Sequence, residues 1–420
     1  MPRTRILFVL VAVVGVGGAM ALPQRADADP TTPSIVLLRR SGDPERAIAA
    51  LERAHGFRAE HRYVAALQGL SARLSARQRD ALRTEASVVS VRDDADVGLV
   101  TPLATSRRAD VPTGVRRIGA GTAAATVAVA VIDTGIDLRH PALNAQSGAN
   151  CVAGKRRTSA AQDDHGHGTH VAGTIGARAS SGVAGVAPGT KLYAVKVLDA
   201  SGRGTVAAVI CGIDWVTANA HRLGIAVANL SFGGTAMSEG DCGTTDDPLR
   251  EAICRSTEAG VTYVVAAGND GIDLARTAPA SYPEVLTVTA MSDSDGRAGA
   301  KGGPPTCMPG ERDDTPASFS NYASAAADAA HVVAAPGVCI SSAWPGGTTN
   351  TISGTSMAAP HVTGVVALCI SNGRCDRHPA RTIRTIVADA KRHATDASGF
   401  ADDGDTQRGR RYGYLVWNGT

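Results

Sequence analysis

The sequence predicts an α/β protein, a mostly parallel sheet between two layers of helices, preceded by a small α+β domain. Three observations lead there. From Thr126 onward, apolar runs of strand length alternate with segments of helix length. The runs are apolar at consecutive positions, as in strands covered on both faces of a parallel sheet. Ahead of them, residues 29–92 carry their own order of short strands and two amphipathic helices.

Composition allows this. The 420 residues are 44% hydrophobic and 19% charged, enough for a large core in two or three units. The formal charge is +3, and the 42 basic residues are almost all Arg, scattered among Asp and Glu without a basic run. That pattern excludes a polyanion-binding stripe, so no nucleic acid partner is expected.

The elements follow in order. Arg3 and Arg5 precede an apolar run from Ile6 to Val16, followed by small residues at Ala19-Met20-Ala21 and Ala26-Asp27-Ala28. This is the order of an export signal over residues 1–28, with residue 21 an alternative cut. The run is shorter than the roughly 20 residues that span a bilayer, so release without a membrane anchor is expected. Next come a strand at Ser34–Leu38, a helix at Asp43–His55, a strand region at Tyr63–Leu74, a helix at Ala76–Glu85 and a strand at Val88–Val91. Asp93–Arg108 is polar, contains Pro102 and the Arg107-Arg108 pair, and reads as an exposed linker. In the large unit, strands are expected at Thr126–Ile132, Leu192–Leu198, Ile225–Leu230, Thr262–Ala267, Val285–Ala290 and Val332–Ala335, with helices at His167–Ala177 and Val206–His221. Asp293–Ser318 breaks the alternation and reads as a surface loop, with Gly302-Gly303-Pro304-Pro305 and a charged run at Glu311–Asp314.

Eight cysteines, none before Cys151, fit four disulfides in an exported domain. Eight allow 105 pairings. Cys369 with Cys375 and Cys242 with Cys254 are the most local candidates, and Cys307 could tether its loop to Cys339. No Cys-x-x-C pair supports a zinc site.

Three segments carry the chemistry: Asp133-Thr134-Gly135 at a strand end, Gly166-His167-Gly168-Thr169-His170 opening a helix, and Gly354-Thr355-Ser356-Met357-Ala358 opening another. A serine hydroxyl becomes a nucleophile when a base takes its proton and a third group orients that base. Asp137 competes with Asp133, but only Asp133 ends the strand. Ser356 could be a helix cap, since Ser and Thr cap well; at that position it also gains unpaired backbone N–H groups beside a forming oxyanion. Ala266-Ala267-Gly268-Asn269 places an amide donor at another strand end. His165, His167 and His170 form a His-x-His-x-x-His pattern, but Thr169 stands where a metallo-hydrolase would place an Asp; no metal is assigned. His170 is read as a packed structural residue, and His165 receives no role.

In that order and with those flanks, the chain resembles the subtilisin-like serine proteases from about Val111 to the C-terminus. The resemblance implies a secreted serine endopeptidase with a subtilisin-like three-layer α/β/α domain at residues 109–420. Residues 29–108 would be an inhibitory propeptide and linker, since His55-Gly56-Phe57, Leu67–Ala72 and Val88–Val91 look like such a propeptide. Asp133, His167 and Ser356 would form the triad acting through an acyl-enzyme, with Asn269 and the Ser356 N–H as oxyanion hole. Ser231, Phe232, Gly233 and Gly268 would bind substrate, with Phe232 shaping an apolar subsite. Broad specificity with an apolar or aromatic P1 lean follows. The implied partners are protein or peptide substrates and the chain's own propeptide, and the implied state is a monomer. The resemblance also implies that catalysis needs no cofactor. The family's calcium loop would fall at Ala177–Gly182, where Arg178 stands in place of oxygen ligands, so calcium is not supported there.

Two glycosylation patterns occur. Asn229-Leu230-Ser231 lies in an expected buried strand, and Asn418-Gly419-Thr420 is expected to be exposed at the terminus. Two other functions share this inventory. A serine esterase of the α/β-hydrolase type runs Ser, Asp, His and uses Gly-x-Ser-x-Gly; here the order is Asp, His, Ser, and Ala358 replaces the last Gly. An inactive binding protein on the same scaffold would be expected to lack a chemical position, and all four are filled.

Overall fold

A computed structural model describes residues 29–99, 103–106, 113–152, 158–179, 183–235, 240–394, 400 and 409–419. The expected export signal lies outside them. The central sheet runs in the order Asn144–Asn150, Lys191–Lys196, Ala128–Asp133, Ile225–Leu230, Thr262–Ala266, Leu286–Ser292, Val332–Pro336, Tyr414–Leu415. Each of these neighbouring pairs is parallel. The short strand Thr315–Pro316 adds antiparallel to Leu286–Ser292.

The consecutive apolar residues serve two cores. Val129 and Val131 pack with Val171, Ile175, Val362 and Val366 of the helices His167–Gly176 and Thr355–Ser371. Ala128, Ala130 and Ile132 pack on the other face with Val209, Ile213 and Ile253 of the helices Val206–Leu223 and Pro248–Glu258. The three layers are therefore the direct result of side chains alternating across a doubly covered strand. Helix ends follow local chemistry. Thr205 caps Val206–Leu223 by accepting from the Ala208 N–H, and Gly224 ends it in the left-handed conformation at φ 71°. The edge strand Asn144–Asn150 escaped the sequence reading because it is polar and half-exposed. The hairpin of Ile340–Trp344 and Thr348–Ser353 was also missed.

Residues 31–93 form an antiparallel sheet ordered His61–Tyr63, Gly69–Ser75, Thr31–Leu38, Val88–Asp93. Val36 and Leu38 face the helices Pro44–His55 and Ala76–Arg83, joining Ile48, Leu51 and Leu82. Ile35, Leu37 and Tyr63 face the opposite way, into the core cluster of the large domain. Asp214 on Val206–Leu223 accepts the N–H groups of Val64, Ala65 and Ala66 at 3.0, 2.7 and 2.9 Å. The Tyr63 hydroxyl donates to the Ala207 carbonyl at 3.1 Å.

Three sequence expectations need correction. Asp93–Arg108 is not simply an exposed linker: Asp96–Leu99 is a strand between Arg203–Thr205 and Phe232–Thr235, and Leu103–Ser106 pairs with Thr348–Ser353. Open strand edges recruit extended backbone whatever its side chains, so polarity does not betray such a segment. The Asp293–Ser318 loop is not a plain surface excursion either, because Glu311, Asp313 and Asp314 are 5%, 5% and 7% exposed. Backbone donors hold them: Asp314 accepts from Gly299 and Ala300, Asp313 from Gly302, and Glu311 from Ser318. Asn418 is buried, its amide donating to the Gly119 carbonyl.

The disulfides are Cys151–Cys211, Cys242–Cys254, Cys307–Cys339 and Cys369–Cys375, which use all eight cysteines. The two most local candidates and the loop tether thus form as expected. Among the described residues, no helix is long and apolar enough to cross a membrane.

Candidate active site

The site lies at the carboxyl ends of the central strands, where open α/β sheets place their ligands. Asp133 is the last residue of its strand and His167 the first of its helix; both are fully buried. The Nδ1–H of His167 donates to Asp133 Oδ1 at 2.8 Å, and the Thr134 N–H donates to the same oxygen at 2.7 Å. That bond puts a proton on Nδ1 and turns Nε2 away from the carboxylate. Nε2 is buried and has no hydrogen-bond partner.

Glycine lets the two segments meet. A Cβ on Gly168 would lie 2.0 Å from the Gly135 carbonyl oxygen, so no larger residue fits beside the Asp133 turn. The frame behind them was missed in the sequence. Asp163 accepts the N–H groups of His165, Gly166 and Thr169 and the hydroxyls of Thr134 and Thr169. Lys196, 4% exposed, donates to the Thr134 and Leu198 carbonyls and to Asp164. The available signal was the Asp163-Asp164 pair just before the His segment, together with a lysine in an apolar strand. Charges in such places demand partners.

Ser356 is the second residue of the helix Thr355–Ser371 and is buried. Its Oγ donates to the Ser231 carbonyl at 2.8 Å, so the hydroxyl is turned toward Ser231. Ser231 answers through its own hydroxyl, which donates to the Ser356 carbonyl at 3.0 Å. This resolves the proline inside the helix. Pro360 has no N–H for the carbonyl four residues earlier, which is that of Ser356. The tolerance of Pro360 therefore rests on Ser231 as well as on its place in the early helix. Asn229 donates to Ser231 Oγ at 2.8 Å and accepts from Thr363 Oγ1 at 2.8 Å, which buries the first glycosylation pattern.

Asn269 Oδ1 accepts from the N–H and hydroxyl of Thr355 at 2.9 and 2.8 Å. This fixes the amide beside the start of the helix that carries Ser356: a Cβ on Gly354 would lie 3.0 Å from Asn269 Nδ2. Gly268 has φ +111°, and a Cβ there would lie 2.2 Å from Asn321 Nδ2. Asn321, also missed, donates to the Ala267 carbonyl and accepts from the N–H groups of Asp270 and Ile272, bracing the Asn269 loop.

The chain's own Asp96–Leu99 occupies the slot beside these groups. Leu99 pairs with Phe232 and Gly98 with Gly233 on one side, while Gly98 and Val97 pair with Arg203 and Gly204 on the other. The Phe232 side chain is 1% exposed and belongs to the core, so what it presents to an incoming strand is backbone. Leu103–Ser106 continues past the site on the strand that leads to Ser356, pairing with Ser353 and Thr351.

The three histidines diverge. Burial, and then the neighbouring His167, lower the pKa of His165, whose Nδ1 accepts the His167 N–H at 3.3 Å. His170 is fully buried, its Nε2–H donates to the Ile340 carbonyl, and burial pushes its pKa down to about 3. A buried imidazole with an unpartnered Nε2, a hydroxyl at a helix start, an amide donor and two strand edges together suit acyl transfer from an extended polyamide.

Comparisons with known proteins agree with this geometry. Residues 124–414 match the subtilase family, Peptidase S8. The chain is 39% identical to M-protease of Shouchella clausii (strain KSM-K16) over 306 residues, covering 71% of this chain and 68% of that protein. It is 37% identical to subtilisin E of Bacillus subtilis (strain 168) over 310 residues, covering 71% and 70%. Among solved structures, a cold adapted subtilisin-like serine proteinase superposes with TM-score 0.55 at 30% identity, covering 73% of this chain and 97% of that one. Fervidolysin from Fervidobacterium pennivorans, a keratinolytic enzyme related to subtilisin, shares the fold with TM-score 0.67 at 24% identity, covering 94% and 61%.

Proposed function

The chain belongs to the subtilase family and is a serine endopeptidase, and on that premise we propose that Asp133, His167 and Ser356 are its catalytic triad. A substrate adds as a strand between Arg203–Thr205 and Phe232–Thr235. A turn of the Ser356 side chain carries Oγ from the Ser231 carbonyl to His167 Nε2. Oγ then attacks the peptide carbonyl carbon while its proton passes to Nε2, and Asp133 stabilises the imidazolium. The Asn269 amide and the Ser356 N–H receive the oxyanion. Collapse expels the amine, which takes the proton from His167 and leaves an acyl-enzyme ester. Water, deprotonated by the same His167, releases the acid.

The observation that carries this reading is the seat of Asp96–Leu99, an extended segment held by backbone on both sides of the slot. Leu103–Ser106 pairs with the strand that leads to Ser356, and on this proposal the cut that frees the mature enzyme falls within residues 100–102. Residues 29–99 then act as the inhibitory propeptide of a secreted enzyme. Backbone pairing reads no side chains, so specificity is broad; an apolar P1 lean draws no support from the buried Phe232.

The test is maturation. Wild-type protein should shed its propeptide, show a new N-terminus between residues 100 and 103, and digest casein. Ser356→Ala should accumulate uncut. Normal maturation of the alanine variant would overturn the assignment.

A further inference from the structure

We propose that Asp293, Asp313 and Asp314 form a binding site for one calcium ion, which closes the two ends of the Asp293–Ser318 loop on each other. One carboxylate oxygen from each residue lies within 4.8 Å of the others. Two oxygens on one calcium ion, at about 2.3–2.6 Å each, can stand up to about 5 Å apart, whereas magnesium at about 2.0–2.1 Å reaches only about 4 Å. A spacing within that bound is compatible with calcium.

Charge and burial point the same way. The three residues are 3%, 5% and 7% exposed. Among the described residues, Arg117 pairs with two of them, with Nη2 at 2.8 Å from Asp314 and Nε at 3.6 Å from Asp293. One guanidinium can offset one of three carboxylates, and buried charge without a counter-ion is strongly disfavoured. A second observation is independent of the clustering. Asp293 has a fully buried side chain whose Oδ2 has no hydrogen-bond partner, although Oδ1 accepts from the Gly296 N–H. Asp313 and Asp314, by contrast, are already oriented by the loop's N–H groups, as bound oxygen ligands are. The site shares no residue with the triad or the oxyanion donors. It reinforces a region also joined by the Arg117 pairs, by Thr113 Oγ1 donating to the Asp293 carbonyl, by Arg116 donating to the Asp295 carbonyl, by Ser294 donating to Asp313, and by the Cys307–Cys339 bridge.

The experiment uses full-length protein carrying Ser356→Ala, so that self-digestion plays no part. The protein is stripped with EDTA and titrated with calcium chloride by calorimetry, and its melting is followed in parallel. The parent should bind calcium, and at about 100 times Kd its Tm should rise by roughly 3 °C. Adding Asp293→Asn or Asp313→Asn should remove one bound calcium and most of that rise, and magnesium should give a smaller rise in the parent. An unchanged calcium count in either variant, or no binding by the parent, would overturn the proposal. If the variants do not fold, calcium-soaked crystals of the parent decide: anomalous density among the three carboxylates supports the site, and its absence refutes it.

Discussion

Replacing Asp214 by Ala should loosen the hold of residues 29–99 on the protease domain by roughly two to four orders of magnitude. The carboxylate accepts three backbone N–H groups from one turn, at 3.0, 2.7 and 2.9 Å, and is itself 1% exposed. A hydrogen bond to a charged group contributes about 1.5–3 kcal/mol, and three bonds to one oxygen do not add in full. The Ala66 N–H is buried and would be stranded, while those of Val64 and Ala65 are partly reached by water. A loss of about 3–5 kcal/mol results, and about 1.4 kcal/mol is tenfold in affinity. The assay is inhibition of the mature enzyme by separately produced residues 29–99, whose own apolar cluster should let them fold. Asp214→Asn keeps an acceptor and should lose less. Tyr63→Phe, which removes one neutral bond to the Ala207 carbonyl, should cost about 1 kcal/mol. Because Asp214 lies on the helix Val206–Leu223, away from the proposed triad, kcat should hold. An inhibition constant within threefold of wild type for Asp214→Ala would refute the reasoning.

Asn269→Ala should lower kcat by about 10²–10³ with KM little changed, and an unchanged kcat would remove it from the oxyanion site. Burial depresses His170 to about 3 and His361 to about 4, from an ordinary 6.5. The fold therefore disfavours their protonation: this stability is present above pH 6.5 and is lost as pH falls toward 4, at up to about 1.4 kcal/mol per histidine per pH unit. Denaturant unfolding of the Ser356→Ala protein between pH 7 and 4 measures this, and a flat profile would contradict it. Cys151→Ser with Cys211→Ser opens a link across 60 residues, which a chain-entropy estimate values at about 4 kcal/mol. A shift in unfolding free energy below about 1 kcal/mol would mean the bridge is slack.

Much of the molecule was legible because its signals are local. Continuous apolar runs require strands covered on both faces, and the sheet built from Ala128–Asp133 and its neighbours has that form. Cys369 and Cys375, six residues apart, had few other convenient partners. The Asp133, His167, Ser356 and Asn269 segments could be picked out because each combines a reactive side chain with a strand end or a helix start.

The supporting shell was not legible. Nothing near Asp214 announces three N–H groups from a turn about 150 residues earlier, and nothing near Ser231 announces that its hydroxyl takes the carbonyl that Pro360 leaves open. Phe232 looked like a subsite wall and went to the core, while Asp313 and Asp314 looked like surface charge and went inside. By itself, the sequence determined which local elements form and which groups could react, since backbone propensity, capping and apolar period act over a few residues. Only the tertiary structure decided which strand edge Asp96–Leu99 would fill, and which buried donor each carboxylate would meet. Those choices depend on chain closure over tens to hundreds of residues, for which no short stretch of sequence carries a signature.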